Sequence, residues 1–325
     1  MDDLGATFIG EMNCGSGRAS ALADSALPNY LVVVQGGTPG EMHKLNEGIC
    51  QIGRSVDNEL TLHNSTISRH HAQVVSSEDG QAWLTDLSST NGTFRNGRWL
   101  TPGEPYALRD GDRLQFGNSL VFKFIQPDPC EERFHQEMFD RMVRDSLTGL
   151  LQRSYFLDQL SSLTRKLPAR NLGVAVLMLD LDHFKKINDT HGHEAGDHAL
   201  RETANVLRQS TRPDDLVARY GGEEFVAALP LADPDLATSR AERIRTNLSQ
   251  KSIEYNGASI RLTASIGLAY SPPHYNRPTS DLIASADRCL YKAKNAGRDR
   301  VVFGRETCPE TPEFTWPMAK GAAYG

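Results

Sequence analysis

The chain has 325 residues, 39% hydrophobic and 23% charged, which suits about two globular domains and excludes a disordered or fibrous chain. Its net charge of −6 speaks against nucleic-acid binding through bulk charge. No apolar run approaches the roughly 20 residues of a membrane helix; the best, Val174–Leu179, reads as a buried strand.

The opening Met1-Asp2-Asp3 is acidic where an export signal would be basic, so none is expected. Five scattered cysteines, Cys14, Cys50, Cys130, Cys289 and Cys308, suit neither a disulfide framework nor a zinc site, and a reducing cytoplasm fits them best. Residues 1–29, rich in Gly, Ala and Ser without an apolar period, read as a flexible tail. From 30 to 126 short β-rich runs (Leu31–Val34, Ala72–Val75, Ala82–Leu84, Leu120–Ile125) alternate with Asp79-Gly80, Asn91-Gly92, Asn96-Gly97 and Asp110-Gly111. Such dipeptides make tight turns, and the spacing predicts an all-β sandwich.

Pro127 and Pro129 punctuate its end, and Glu131–Arg144 reads as a linker helix within 127–144. Its Phe134, Met138 and Met142 recur every fourth residue; that stripe either docks on its own domain or pairs two chains. Helix and strand then alternate: helix Ser154–Lys166, strand Gly173–Asp180, helix Ala195–Gln209, strands Leu216–Tyr220 and Glu224–Leu229. Helix Leu236–Leu248, strand Arg261–Ala269, helix Ser280–Ala296 and strand Arg300–Phe303 complete an α+β or α/β domain over 145–304. Residues 305–325, with three prolines, read as a loose C-terminal tail.

In the first domain, Gly53-Arg54-Ser55, Ser68-Arg69-His70-His71 and Thr90-Asn91-Gly92-Thr93 are turn sequences that one end of a sandwich can gather. Arg54, Ser68, Arg69, Thr90 and Asn91 offer two guanidiniums, two hydroxyls and an amide, a set suited to a dianionic phosphate on a peptide. In order and spacing these stretches resemble the forkhead-associated (FHA) family. The resemblance implies phosphothreonine binding, with Arg54, Ser68 and Thr90 on the phosphate, Arg69 beside them and Asn91 on the peptide backbone. His71 takes the family's structural position, and His70 reads as a surface residue.

In the second domain, Asp180 follows the buried strand, and Glu223-Glu224 follows Tyr220-Gly221-Gly222. Two glycines between strands make a tight hairpin. If the strands are neighbours, Asp180 and Glu223 face one pocket, and carboxylate oxygens suit Mg²⁺ or Mn²⁺ with phosphates. Lys294 and Arg298, four apart near a helix end, would neutralise those phosphates.

The stretches Asp145–Leu150, Asp180–Asp197, Gly221-Gly222-Glu223-Glu224-Phe225 and Tyr291–Lys294 with Gly297-Arg298 resemble the GGDEF family of diguanylate cyclases. That implies an FHA sandwich followed by an α+β, palm-like nucleotidyl-cyclase domain that condenses two GTP into cyclic di-GMP. By the resemblance, Asp180, Glu223 and the Leu181 carbonyl hold two divalent ions per GTP site, and Glu224 lies near the ribose 3′-hydroxyl as ligand or base. Main-chain amides of Asp182 to Lys185, Phe184 included, cradle the β- and γ-phosphates with Lys294 and Arg298, and Asn188 and Asp197 read guanine. A carboxylate accepts from guanine N1 and N2, a pair adenine lacks. Gln152 departs from the family's usual Asn before Arg153.

Each domain binds one GTP, so a homodimer is implied. Arg212-Pro213-Asp214-Asp215, just upstream of the GGEEF turn, resembles the family's product-inhibition site, with Asp215 accepting from guanine and Arg243 as a second arginine. His183, His191, His193 and His198 lack the cysteines a zinc reading would want. Thr7 is the only threonine before the sandwich; it is a candidate phosphosite for a Ser/Thr kinase, read by the chain's own FHA domain, the rival ligand being another protein's phosphothreonine. The competing functions are a catalytically silent cyclic di-GMP receptor and a phosphopeptide adaptor.

Overall fold

The structure, a computed structural model, describes residues 27–231, 233–273, 275 and 277–304. The expected N-terminal tail up to residue 26, with Thr7, and the expected tail from 305 onward lie outside the described residues. The chain divides into two compact units between Phe139 and Asp140.

The first unit is built from β1 Asn29–Gln35, β2 Met42–Leu45, β3 Gly48–Gly53, β4 Leu60–Thr61, β5 Ala72–Ser76, β6 Ala82–Asp86, β7 Thr93–Arg95, β8 Arg98–Trp99, β9 Tyr106–Ala107, β10 Arg113–Phe116 and β11 Leu120–Ile125. They form two sheets, ordered β2-β1-β11-β10-β7-β8 and β4-β3-β5-β6-β9. β5 shows the expected alternation, with Ala72, Val74 and Ser76 buried and Gln73 and Val75 only partly so, because successive side chains take opposite faces. Leu31, Ile52, Val74, Leu84, Phe116, Phe122 and Phe124 fill the space between the sheets. Asn96 and Gly97, at φ 51° and 78°, close the β7–β8 hairpin, the left-handed pair that a two-residue hairpin turn demands.

Helix α1 spans Pro129–Val143, starting two residues before the expected position. Asp128 Oδ1 accepts from the amides of Cys130 and Glu131 at 2.7 and 2.8 Å, and Glu131 Oε2 takes the Asp128 amide at 3.1 Å. This reciprocal cap makes Pro129 the first helical residue, a position where its missing N–H costs nothing. The α1 stripe does not dock on its own domain: Phe134, Met138 and Met142 are 56%, 49% and 47% exposed.

The second unit comprises β12 Leu151–Gln152, α2 Arg153–Lys166, β13 Gly173–Leu181, α3 Phe184–His191, α4 His193–Ser210, β14 Leu216–Arg219, β15 Glu224–Leu231, α5 Pro234–Gln250, β16 Ile253–Tyr255, β17 Ala258–Ile260, β18 Ala264–Ser271, α6 Thr279–Asn295 and β19 Val301–Phe303. The main sheet runs β12-β14-β15-β13-β18-β19. β13 lies at its centre, antiparallel to both neighbours and buried throughout. Ala175, Leu177, Leu179 and Leu181 face one core with residues of α3, α4 and α5. Val174, Val176 and Met178 face the other, with residues of α2 and α6. Asp180 keeps that parity, so the strand's period of two puts its side chain on the α6 face.

Candidate functional site

The second unit's site forms where β13 ends. Asp180 lies directly opposite Glu224 across the β13–β15 pair and opposite Ser265 on β18. Such partners project on the same face. β14 and β15 are antiparallel neighbours joined through Tyr220–Glu223, which makes the expected hairpin. Lys294, in the last turn of α6, reaches back to Asp180 at 2.6 Å, where the carboxylate is 8% exposed.

Burial pushes the Asp180 carboxyl above its usual range; Lys294 and Arg298 pull it down without winning, and Asp182 adds to the rise. The Glu223 carboxyl is also raised, by burial first and then by the charge of Asp180, with Lys294 opposing. Two carboxylates thus share one partly desolvated corner with one close cation. That oxygen-only, anion-rich donor set fits a hard divalent cation. Among the described residues no group of three His, Cys, Asp or Glu side chains is arranged as a metal site, so the remaining ligands would come from main chain, water and substrate.

Short helix α3 was not expected from the sequence. His183 enters it at φ 57°, in left-handed geometry, and turns the chain so that the first amides of the helix follow directly on β13. Phe184 puts its ring into the core, 6% exposed, leaving only its main chain to face a ligand, while Lys185 is exposed. Asn188 sits late in α3 and Asp197 early in α4. The two are joined through Gly196. A Cβ there would fall inside the Asn188 amide oxygen and 3.2 Å from the Phe184 ring, so glycine alone lets Asn188 lie against α4 beside the exposed Asp197. Arg298 is not on the helix of Lys294: α6 ends at Asn295, and Arg298 follows at φ 63°.

A bridge that the sequence did not announce braces the turn. Arg219 donates to the Gly222 carbonyl from Nε at 3.1 Å and Nη2 at 2.7 Å, and pairs with Asp145 at 3.3 Å. Burial pushes the Asp145 carboxyl up, but Thr148 and Arg219 outweigh it and hold it below the usual range. Gln152 donates to the Arg144 carbonyl at 2.9 Å, and the Arg153 guanidinium lies 4.3 Å above the Tyr220 ring.

Upstream of the turn, Arg212 and Asp215 do come together, but differently from the expectation. The Asp215 carboxylate accepts the Arg212 amide at 2.6 Å and pairs with Arg240 on α5, the two side chains 1% and 4% exposed. It is spent inside the fold and not held out to a ligand. Arg243 donates to the Ser210 carbonyl at 3.0 Å, two residues before Arg212.

In the first unit the expected loops are laced by hydrogen bonds. The Arg54 amide donates to the Ser68 carbonyl at 3.0 Å, the Ser55 amide to the Arg69 carbonyl at 3.1 Å, and the Thr90 amide to Ser68 Oγ at 3.0 Å. Gly53 permits this approach, since a Cβ there would meet the Arg69 backbone and stand 2.9 Å from Asn58 Nδ2. His71, fully buried, accepts the Ser68 amide on Nδ1 at 3.2 Å and donates from Nε2 to the Gly92 carbonyl at 3.1 Å. It ties the two loops, as its loop-support reading requires. Asn91 uses one N–H of its side-chain amide to hold the Thr66 carbonyl at 2.7 Å, which leaves its second N–H and its oxygen for a peptide backbone. His70 is exposed but bonds Asn58 Oδ1 at 2.9 Å. Arg54 and Arg69 are exposed at the same end.

Comparison with known proteins agrees with this division. The family model for the FHA domain matches residues 50–117, and that for "Diguanylate cyclase, GGDEF domain" matches 142–300. The chain carries an FHA domain and a GGDEF domain.

The GGDEF domain is similar to that of the response regulator PleD of Caulobacter vibrioides, 42% identical over 165 residues, 49% of this chain and 36% of that protein. Diguanylate cyclase A of Treponema denticola is 35% identical over 182 residues, 54% of this chain and 48% of the relative. The match thus spans about half or less of these curated relatives. Among solved structures, the coiled coil and GGDEF domain of DgcB from Caulobacter crescentus, in complex with c-di-GMP, superposes at TM-score 0.50 with 28% identity, over 53% of this chain and 91% of that one. No helix among the described residues is long and apolar enough to cross a membrane.

Proposed function

We propose that the GGDEF domain is a diguanylate cyclase that condenses two GTP into cyclic di-GMP and two pyrophosphates. The observation that carries the reading is the meeting of Asp180, Glu223, Glu224 and Lys294 at one sheet end. In this reaction the 3′-oxygen of one GTP bonds to the α-phosphorus of the other, and the bond to the bridging oxygen breaks as pyrophosphate leaves. Mg²⁺ or Mn²⁺, two per GTP site, held by Asp180, Glu223 and the Leu181 carbonyl, would neutralise the phosphates and polarise the reacting oxygen. Glu224, opposite Asp180, would lie by the 3′-hydroxyl as ligand or base. Lys294 and Arg298 would take the β- and γ-phosphates with the first amides of α3. Asn188 and Asp197 would select guanine by accepting from its N1 and N2. Positioning and charge stabilisation account for most of such a barrier reduction.

One domain holds one GTP, so two chains must face each other. The exposed Phe134, Met138 and Met142 stripe on α1 supports a homodimer paired through that helix, since an amphipathic face needs a partner. The laced loops around Ser68 and Thr90 support binding of a phosphothreonine peptide by the FHA domain. The peptide would come from the chain's own Thr7 or another protein, after a Ser/Thr kinase has acted. Arg212 and Arg243 would bind cyclic di-GMP as a feedback inhibitor, with Asp215 and Arg240 setting the turn from within. The reaction would run in the cytoplasm, where GTP is found. Turnover of GTP with and without a phosphothreonine peptide tests the reading: product formed, and a rate the peptide changes, support it. A well-folded dimer that binds cyclic di-GMP but forms none would make the chain a receptor.

A further inference from the structure

Three consecutive residues after α6 adopt left-handed backbone: Gly297 at φ 110°, Arg298 at 63° and Asp299 at 41°. Only the first is glycine, and a non-glycine residue enters this region against the clash of its Cβ. Such a run persists only where its surroundings over-determine it. Here they do. The Asp299 amide donates to Asp182 Oδ2 at 3.0 Å, and its side chain meets Arg245 of α5 at 2.6 Å. The Arg298 amide donates to the Ala293 carbonyl at 3.1 Å, and Arg300 Nε donates to the Arg298 carbonyl at 2.9 Å.

Asp182 is the unusual member of this set. It is 5% exposed, just past the end of β13. Its Oδ2 also accepts from Thr263 Oγ1 and its Oδ1 from Ser265 Oγ, both at 2.7 Å. With both oxygens turned into the fold, it is not a third carboxylate for a metal. Ser265 is the residue opposite Asp180, so one buried carboxylate joins the strand beside Asp180 to the loop that bears Arg298. Resting on the GTP reading above, we propose that Asp182 is a positioning residue: it locks the left-handed loop and thereby aims Arg298 at the β- and γ-phosphates of the nucleotide. Lys294, which contacts Asp180 at 2.6 Å, stands four residues before Arg298, so the loop leaves α6 beside that corner.

The alternatives differ in sign. A purely electrostatic Asp182 repels the triphosphate, so Asp182→Asn would tighten binding. A purely structural one would weaken every guanine nucleotide alike. A positioning residue acts only on the phosphates that Arg298 holds.

The test measures affinity of the full chain, with Mg²⁺, for 3′-deoxyGTP, which lacks the attacking hydroxyl, and for 3′-deoxyGMP. Asp182→Asn and Arg298→Ala are each expected to weaken the triphosphate about ten-fold, the scale of one lost charge-assisted contact, and to leave the monophosphate within about two-fold. Added to Arg298→Ala, Asp182→Asn is expected to cost less than about two-fold more, because residues acting through one another are non-additive. Should Asp182→Asn fail to fold, Arg245→Ala frees Asp299 from its other side and is read in the same way. Multiplying losses, equal losses for both nucleotides, or tighter binding would overturn the proposal. A parent chain that binds no triphosphate would overturn the GTP reading itself.

Discussion

Gly196→Ala isolates guanine recognition from folding. Gly196 lies within α4, where alanine is the better helix former by about 0.8–1.0 kcal/mol. Against that gain, the new methyl lands inside the Asn188 amide oxygen, 3.0 Å from its Cγ and 3.2 Å from Phe184 Cζ. Overpacking of this kind costs about 1–3 kcal/mol. The net loss, at most about 2 kcal/mol, is below the roughly 5–15 kcal/mol that holds a domain together. The Asn188 amide is the free end of a side chain and yields before the buried Phe184 ring does. Displaced, it would no longer make the guanine contact proposed for it, at about 1–3 kcal/mol for the unmade hydrogen bonds. That is roughly a five- to 150-fold larger GTP dissociation constant. Calorimetric titration with 3′-deoxyGTP, beside a thermal melt of the same sample, reads both quantities. A folded variant that binds as tightly as the parent would refute the seating of Asn188 on Gly196.

Arg240→Met leaves the Asp215 carboxylate buried without its partner; a loss of about 3–5 kcal/mol is expected, measured by urea denaturation, and a loss under 1 kcal/mol would contradict the buried pair. Arg212→Ala removes an exposed guanidinium at the turn upstream of the hairpin and is expected to raise the cyclic di-GMP concentration for half-inhibition about ten-fold; an unchanged inhibition curve would move the feedback site elsewhere. His71 is held neutral, its pKa pushed down by burial although Gly92 and Asp86 push it up. As pH falls below about 6.5 the unfolded chain takes up a proton that the fold refuses at His71, and another at His43, whose pKa burial also lowers; each removes up to about 1.4 kcal/mol of FHA-domain stability per pH unit, and these contributions fade above about pH 7. Denaturation followed by tryptophan fluorescence, from Trp83 and Trp99 in this domain, at pH 7 and pH 5.5 checks the sign, and a midpoint that holds or rises in acid would contradict it.

The parts of the site that lie within one stretch of sequence were readable there. The apolar run into Asp180 and the glycine pair before Glu223 report a buried strand and a tight turn, and β13 and the β14–β15 hairpin follow from them. The loops bearing Arg54, Ser68 and Thr90 were likewise marked by turn residues. What escaped depends on partners far along the chain. Asp215 looked open because its partner Arg240 is 25 residues away and on another element. The satisfaction of Asp182 rests on Thr263, Ser265 and Asp299, all more than 80 residues distant. α3 escapes a sequence reading because it is only eight residues long, with two apolar positions, Phe184 and Ile187, and the β16–β17 hairpin because three-residue strands carry no period. The α1 stripe was legible as apolar, but whether it docks is a tertiary fact.

The central claim is that Asp180, Glu223 and Glu224 form a phosphoryl-transfer site for GTP. Its most direct test is a product analysis of the full chain with GTP and Mg²⁺, beside Glu223→Gln, by chromatography with a pyrophosphate assay. One cyclic di-GMP for two pyrophosphates is expected from the parent, and at least a hundred-fold slower formation from a variant that melts at the parent's temperature, on the scale of about 2.7 kcal/mol of lost transition-state stabilisation. Equal turnover by the folded Glu223→Gln chain, or a dimeric parent that binds GTP and releases no pyrophosphate, would contradict it.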